Sequence, residues 1–554
     1  MDKKFKVTFR GKQTLEFKEG TTFKEISEYF KQCYNYEILT AKVDNDMVDL
    51  SETLKKKCNI EFFDRSSSIG NSIYARSARF ILVLAIRNVL GPKVELIAEH
   101  SMDHGVYCTI EGADINKEVI NNIYKEMRAI VKQDYLYTKL SVSRIDAIKY
   151  FKKINKMDKV HVLKYISNTY INLYRINDMY DYYYGKMAYS TSQINDFKLT
   201  YIKDNGFVLS LPEIVNPECT LDYRHHAKVF DEFLDYTKWG KILGLRNAAD
   251  LNQVVSSAKV CELVNLAETH YDSQLAKIAD EIYNSPRNIK IVLIAGPSSS
   301  GKTTTSKKLD VYLRSKGFIT HPIELDNYFT DLDKRALDEN GKPDFESIRA
   351  VDVNLFNKQI SQLLEGKRVN LPKFNFILGK REYNDNYLKL GEKDIIIVEG
   401  LHALNDELTM SINKNNKYKI FISPLTQLNI DNHTHIHTSD IRKLRRIIRD
   451  NKTRGFGARE TLAMWPAIKA GERNNIFKFQ DDVDTVINSA LIYEIGVLKT
   501  YVEPLLFNVN EDDPEYPEAL RLINFLRNFL PIPSDDVPSD SVLREFIGGS
   551  CFKS

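Results

Sequence analysis

The stretch Gly296-Pro297-Ser298-Ser299-Ser300-Gly301-Lys302-Thr303, set directly behind the apolar run IKIVLIAG, constrains this chain more than any other feature. A short, continuous apolar run reads as a strand buried on both faces. The residues that follow, KTTTSKKLDVYLRS, read as a helix. The pattern G-x-x-x-x-G-K-[ST] is expected roughly 0.02 times by chance in a chain of this length, so coincidence explains it poorly. Strand, glycine turn and helix are also the order that phosphate binding needs. Glycines let backbone N–H groups curl around phosphate oxygens, and the helix amino terminus adds the positive end of its dipole. Gly296 through Thr304 are therefore the candidate ATP loop, with Lys302 against the β- and γ-phosphates and the Thr303 hydroxyl on Mg²⁺.

Further apolar runs follow the loop (THPIELD, DIIIVEG, YKIFISP, VDTVINS) and alternate with helical text. That alternation implies a mostly parallel sheet with helices on both faces, here residues 286–510. A proline-punctuated tail, 511–554, is expected to pack back on it. Upstream, residues 1–64 run strand, turn, strand, helix and strands, as in a small β-grasp domain. Residues 65–215 mix helix and strand, and 216–285 read as a helical connector without strands. The fold class is multidomain α/β and α+β, which suits 554 residues.

Composition narrows the setting. A formal charge of +3 offers no global field for nucleic acid or an acidic membrane. Six scattered cysteines without a CxxC pair fit a reducing cytoplasm. The greasiest segment, Phe80 to Leu90, is broken by Arg87 and Asn88 and falls far short of the roughly 20 apolar residues of a spanning helix. No signal-peptide run opens the chain, so a soluble cytoplasmic protein without a membrane partner is expected, with a homo-oligomer left open.

A phosphate loop alone does not distinguish a kinase from a GTPase or a motor. Asp326 closes IELD at the sheet edge where ligands of α/β proteins sit, and a carboxylate there could accept a proton from an attacking hydroxyl. Glu399 closes DIIIVEG at the same edge, placed to hold Mg²⁺. GTPases usually have aspartate at that place, which tilts the reading toward small-molecule kinases. Residues 439–455, SDIRKLRRIIRDNKTRG, put Arg442, Arg445, Arg446 and Arg449 on one helical face, with acids only at Asp440 and Asp450. Self-repelling arginines call for a polyanion, so this segment reads as a lid over ATP with Arg454 at its hinge.

GPSSSGKTT, LDNYF, PKFNFILGKRE, IIIVEGLHAL and IRKLRRIIRDNKTRG, in that order, resemble the uridine kinase/phosphoribulokinase family. The resemblance implies a kinase that transfers the γ-phosphoryl group of Mg²⁺-ATP to a hydroxyl of a nucleoside or related alcohol. It makes Asp326 the base, Glu399 a companion of Mg²⁺, and the arginines from 442 to 454 the phosphate grip. Lys302, Arg445 and Arg449 then assist transfer, Arg442 and Arg454 contact ATP, and Phe329, Phe374, Arg381 and Arg445 face the acceptor. Uridine–cytidine kinases carry a tyrosine and a histidine where this chain has Phe374 and Gly379, and a tyrosine where it has Phe329. The polar groups that would read a nucleobase are therefore missing.

The front resembles the amino-terminal region of threonyl-tRNA synthetase. KFKVTFRGK, KEGTTFKEI and AKVDNDMVDL look like a TGS domain, and SARFILVLAIRNVLG, DHGVYC and INDMYDYYYGKM like the editing domain. Where that domain has histidines and a cysteine, this chain has Ala75, Arg79, Tyr183 and Met187, none of them suited to hydrolytic editing. His100 and His104 lie in a strand–turn region that does not favour a metal pair, and His433, His435 and His437 read as a surface loop. Lys3, Lys4, Lys6, Arg10 and Lys12 form a solvated sheet face or an RNA contact. The second reading of the whole chain is an ATP-switched regulatory protein that binds RNA or a small ligand through its front domains.

Overall fold

The computed structural model describes residues 3–202, 206–332, 347–375, 378–426 and 428–552; Phe376 and Ile377 of the segment PKFNFILGKRE lie outside them. The first five strands, from Lys4–Phe9 to Cys58–Asp64, form one sheet with a short helix, Phe23–Glu28. Thr22 begins that helix with a capping box to Glu25. The exposed lysines of the first strand face solvent, and Lys3 and Arg10 pair with Glu19 and Glu61 at 3.7 and 3.6 Å.

Helix α1 (Ser68–Leu90) follows, capped by the Ser67 side chain and stopped at Gly91, whose φ of 95° needs a glycine. It packs in a core with the strands Glu95–Met102 and Gly105–Glu111 and the helix Lys117–Lys132. The connector contains three helices, Ala227–Ile242, Ala248–Ser256 and Val260–Tyr283. The middle one, begun by the Asn247 capping box, escapes the periodicity reading because its apolar run is only two turns long.

The carboxy-terminal half is built on five parallel strands: β1 (Ile291–Ala295), β2 (Ile319–Glu324), β3 (Asp394–Glu399), β4 (Lys417–Ser423) and β5 (Thr485–Asn488). Their order is β2-β3-β1-β4-β5. Every residue of β1 is buried, which is why its apolar run has no gaps. Registers pair Glu399 with both Ile294 and Glu324, so the carboxyl ends of three strands lie side by side. Helix α2 (Lys302–Ser315) springs from β1, and α3 (Thr438–Thr453), α4 (Ala458–Asn475), α5 (Glu494–Phe507) and α6 (Tyr516–Leu526) complete the unit.

Two expectations change. Strand β2 ends at Glu324, and Asp326 lies in the 3₁₀ turn Leu325–Tyr328 just beyond it. The histidine segment is no surface loop: Asn429–Asp431 and Thr434–His435 form a hairpin in which His433 and His435 are buried. Three of its backbone and side-chain contacts reach the front of the chain. Asn429 Nδ2 donates to the Ala98 carbonyl at 2.8 Å, the Ala98 N–H donates to the Asn432 carbonyl at 2.8 Å, and Arg79 meets His435 at 3.1 Å.

Candidate functional site

The loop between β1 and α2 has the backbone its sequence demands. Gly301 takes φ +84°, and a Cβ there would lie 2.3 Å from Val542; at Gly296 a Cβ would lie 2.0 Å from the Ile422 carbonyl oxygen. Only glycine fits either place. Lys302 folds back over the loop and donates to the Gly296 and Pro297 carbonyls at 3.0 and 3.3 Å. Burial lowers its pKa, with Glu399 the chief opposing charge.

Thr303 donates its hydroxyl to Glu399 Oε1 at 2.8 Å. Burial raises the Glu399 carboxyl to about 7, against the pull of Lys302 and Thr303 and with the like charge of Asp326 adding to the rise. An oxygen pair beside a cationic loop, one member an acid that wants more positive charge, is a donor set suited to a hard divalent cation. The exposed Asp326 shares this edge, near enough for its charge to act on Glu399. Phe329 and Phe374 are both buried and meet edge to face at 5.8 Å. Arg381 gives its guanidinium to Asp352 at 2.9 Å and its backbone N–H to Asp331 at 3.1 Å. Gly379 has φ +64°, and a Cβ there would press to 2.9 Å on Leu332, so the turn itself excludes a larger residue.

The arginine helix departs from its sequence reading. Arg445 is fully buried: Nε donates to Glu494 at 2.7 Å, Nη2 to the Ser489 carbonyl at 2.7 Å, and Nη1 reaches the Ser299 carbonyl at 3.4 Å. Arg442 pairs with the buried Glu472 and donates to the Ser298 carbonyl at 3.0 Å. Arg446 bridges Asp450 at 2.9 Å and Ser298 Oγ at 2.7 Å. The polyanion these three meet is supplied by the protein itself, so they buttress the loop from beneath. Arg442, expected to grip ATP, and Arg445, expected to serve transfer or the acceptor, here meet protein acids and loop carbonyls. Arg449 is different. Its contact with Asp450 is 3.7 Å, its buried Nε has no hydrogen-bond partner, and burial, with Arg454 adding, lowers its pKa to about 10. Arg454 is half-exposed and 3.2 Å from Asp450.

Sequence reasoning missed three carboxylates. Glu472 accepts the Ser298 N–H at 2.7 Å, Glu494 holds Arg445, and Glu545 of the tail accepts the Thr304 N–H and hydroxyl at 3.1 and 3.0 Å. Glu545 thus sits on the amino end of α2, where a phosphate would lie. No motif marks any of them; they reach the loop only through the folding of α4, α5 and the tail.

A model of the Phosphoribulokinase / Uridine kinase family matches residues 291–493. Residues 291–493 are a domain of that family. The kinase-family domain bears similarity to a structure described as a possible uridine kinase from Bacillus stearothermophilus, 20% identical over 27% of this chain and 79% of that one, at a TM-score of 0.23. The amino-terminal region matches threonine–tRNA ligases. One from Acetivibrio thermocellus is 27% identical, covering 35% of this chain and 31% of the ligase. Another, from Clostridium novyi, is 26% identical, covering 43% and 39%. The chain spans about a third of the length of the curated relatives it matches.

The hairpin of the kinase-family domain reaches the front of the chain at Arg79, Lys159 and Asp181. Arg79 meets His435, and Tyr183 and Met187 are buried in the front core. Lys159, itself fully buried, pairs with Asp181 and with Asp431 of the hairpin, both at 3.1 Å. His433 meets Asp181 at 2.6 Å and Glu95 at 3.4 Å. His100 is a core residue stacked on Phe233 at 3.9 Å, and burial lowers its pKa to about 3. His104 lies against Glu213 at 3.1 Å.

Proposed function

We propose that the chain is an ATP-dependent phosphotransferase that moves the γ-phosphoryl group to a hydroxyl of a nucleoside or related small alcohol, in the cytoplasm. The observation that carries this is the 2.8 Å contact of Thr303 with Glu399 beside Lys302, with Asp326 on the same edge. A nucleotide switch needs the loop but has no use for a second, exposed carboxylate next to it.

On this reading the N–H groups of residues 299–304 and the amino end of α2 receive the phosphates, and Lys302 swings from the Gly296 and Pro297 carbonyls to the β- and γ-oxygens. Thr303 and Glu399 would hold Mg²⁺, which supplies charge neutralisation when bound. Asp326 orients the acceptor hydroxyl and takes its proton. Arg449 meets the charge that develops on the transferring group, and the Phe329–Phe374 pair forms an apolar wall for the acceptor. Asp326→Asn is expected to lower transfer by about 10²–10⁴ while leaving ATP-analogue binding unchanged. Unchanged transfer to every accepted compound in a nucleoside and sugar panel would remove Asp326 from this role.

One observation favours the second reading, ATP-switched binding: Glu545 on the Thr304 N–H links nucleotide entry to the position of the tail. On that reading the front domains engage RNA or a small ligand, and the acceptor panel gives only slow ATP hydrolysis.

A further inference from the structure

A cavity of about 570 Å³ lies between the front of the chain and helix α6, away from the phosphate loop. Its volume falls in the range of small-molecule sites. One wall carries Arg76 of α1 with Tyr174, Tyr184 and Lys186; the other carries Arg521 and Arg527. These walls come from parts of the chain more than 300 residues apart in sequence, and nothing in the phosphoryl-transfer reading uses them.

The lining also carries the acids Asp46, Glu52 and Glu518, and its cations share them unequally. Lys186 pairs with Asp49 and Glu52 at 3.5 and 3.2 Å, and Lys139 pairs with the same two acids at 3.2 and 3.1 Å. Arg521 pairs with Asp440 and Glu518, both at 2.7 Å. Arg527, exposed at the rim, donates to Asn524 Oδ1 at 2.9 Å. Arg76 has no carboxylate partner among the described residues, although it is only 9% exposed. Its hydrogen bond goes from Nη1 to the Lys186 carbonyl at 2.5 Å, and its guanidinium lies 5.9 Å from the Tyr184 ring.

The place is shaped for this guanidinium. A Cβ on Gly185 would come within 2.4 Å of Arg76 Cζ, so the glycine lets the backbone lie flat against it. Burial pushes the Arg76 pKa down, with the neighbouring Arg79 adding to the fall. A guanidinium that donates to one carbonyl and lines a cavity keeps further donors to offer an anion. A carboxylate or phosphate matches its planar fork in charge and geometry.

We propose that this cavity binds a small organic anion whose carboxylate or phosphate pairs with Arg76 and whose apolar body lies against Tyr174 and Tyr184. Arg521 ties the far wall to Asp440 in the first turn of α3, so the bound anion lies one ion pair from the arginine helix. The site does not depend on the phosphotransferase reading, and its test does not use activity.

The test titrates the full chain with phenyl phosphate, benzoate and inorganic phosphate by calorimetry. Phenyl phosphate or benzoate is expected to bind more tightly than inorganic phosphate. Arg76→Met is expected to weaken that binding roughly 10- to 100-fold, the loss of a charge-assisted hydrogen-bonded pair, and Arg76→Lys to retain part of it. Dependence on Arg76 separates this site from anions held at residues 296–304. A purely structural arginine would lower the melting temperature of the unliganded protein when replaced; here Arg76→Met is expected to leave it unchanged or higher. Failure of both organic probes to bind, binding indifferent to Arg76→Met and Arg76→Lys, or a lower unliganded melting temperature in both variants would each overturn the proposal.

Discussion

Arg445→Met separates a buttress from a catalytic arginine. The wild-type guanidinium is wholly buried and holds Glu494, itself 2% exposed, at 2.7 Å. Removing it leaves a buried carboxylate whose remaining partner is the Leu491 N–H at 3.2 Å, and frees the Ser489 carbonyl as well. Breaking a buried pair from one side costs about 3–5 kcal/mol, which lowers the melting temperature of a domain of this size by about 6–20 °C. Burial already raises the Glu494 pKa, with Arg445 opposing it. Without the arginine that carboxyl rises further. A carboxyl whose folded pKa exceeds its unfolded value costs stability as pH rises through that window, so the deficit should shrink toward about pH 5. Arg445→Met/Glu494→Leu, with both charges gone, should recover most of the loss. The assay is scanning calorimetry of the full chain at several pH values, with ATP-analogue binding measured below the transition. Arg449→Met is the contrast: its loose contact with Asp450 predicts a stability change under about 1 kcal/mol but a fall in transfer of about 10²–10³. If Arg445→Met melts with the wild type while transfer collapses, the buttress assignment is wrong.

Glu545→Gln removes a carboxylate from the amino end of α2 and should tighten ATP-analogue binding by roughly 2- to 10-fold; weaker binding in a titration would count against competition by the tail. Glu399→Gln should abolish the Mg²⁺-dependent part of nucleotide affinity while leaving the Mg²⁺-free part, measured by titration with and without the cation. Burial disfavours the charged form of His433, but Asp181 and Glu95 outweigh it and raise its pKa to about 9. Its stabilising charge is therefore complete below the ordinary histidine value and lost as pH rises through about 9. Hydrogen exchange of residues 429–437 should accelerate across that window, and His433→Gln should flatten the response; equal profiles in both proteins would refute the link.

The phosphate loop was legible because its chemistry is local: a buried strand, two glycines with no room for a Cβ, and a lysine and threonine at the start of a helix. The parallel sheet was legible for the same reason, since strands buried on both faces write continuous apolar runs. The arginine helix was legible as a helix, but the acids its arginines meet were not. Its nearest acids in sequence are Asp440 and Asp450, whereas Glu472 and Glu494, which neutralise Arg442 and Arg445, arrive from α4 and α5. The histidines from 433 to 437 misled in the same way, because Lys159, Asp181 and Glu95 lie far away in the chain.

Local sequence therefore determined the loop, the sheet around it and the carboxylates at its edge, because their conformations depend on neighbours a few residues away. Tertiary structure decided which charges meet. A buried arginine must find a carboxylate, and which one it finds depends on how helices pack. That packing set three arginines against the loop, placed Glu545 at the end of α2, brought the hairpin onto Arg79 and Lys159, and left Arg76 lining a cavity without a carboxylate partner of its own among the described residues.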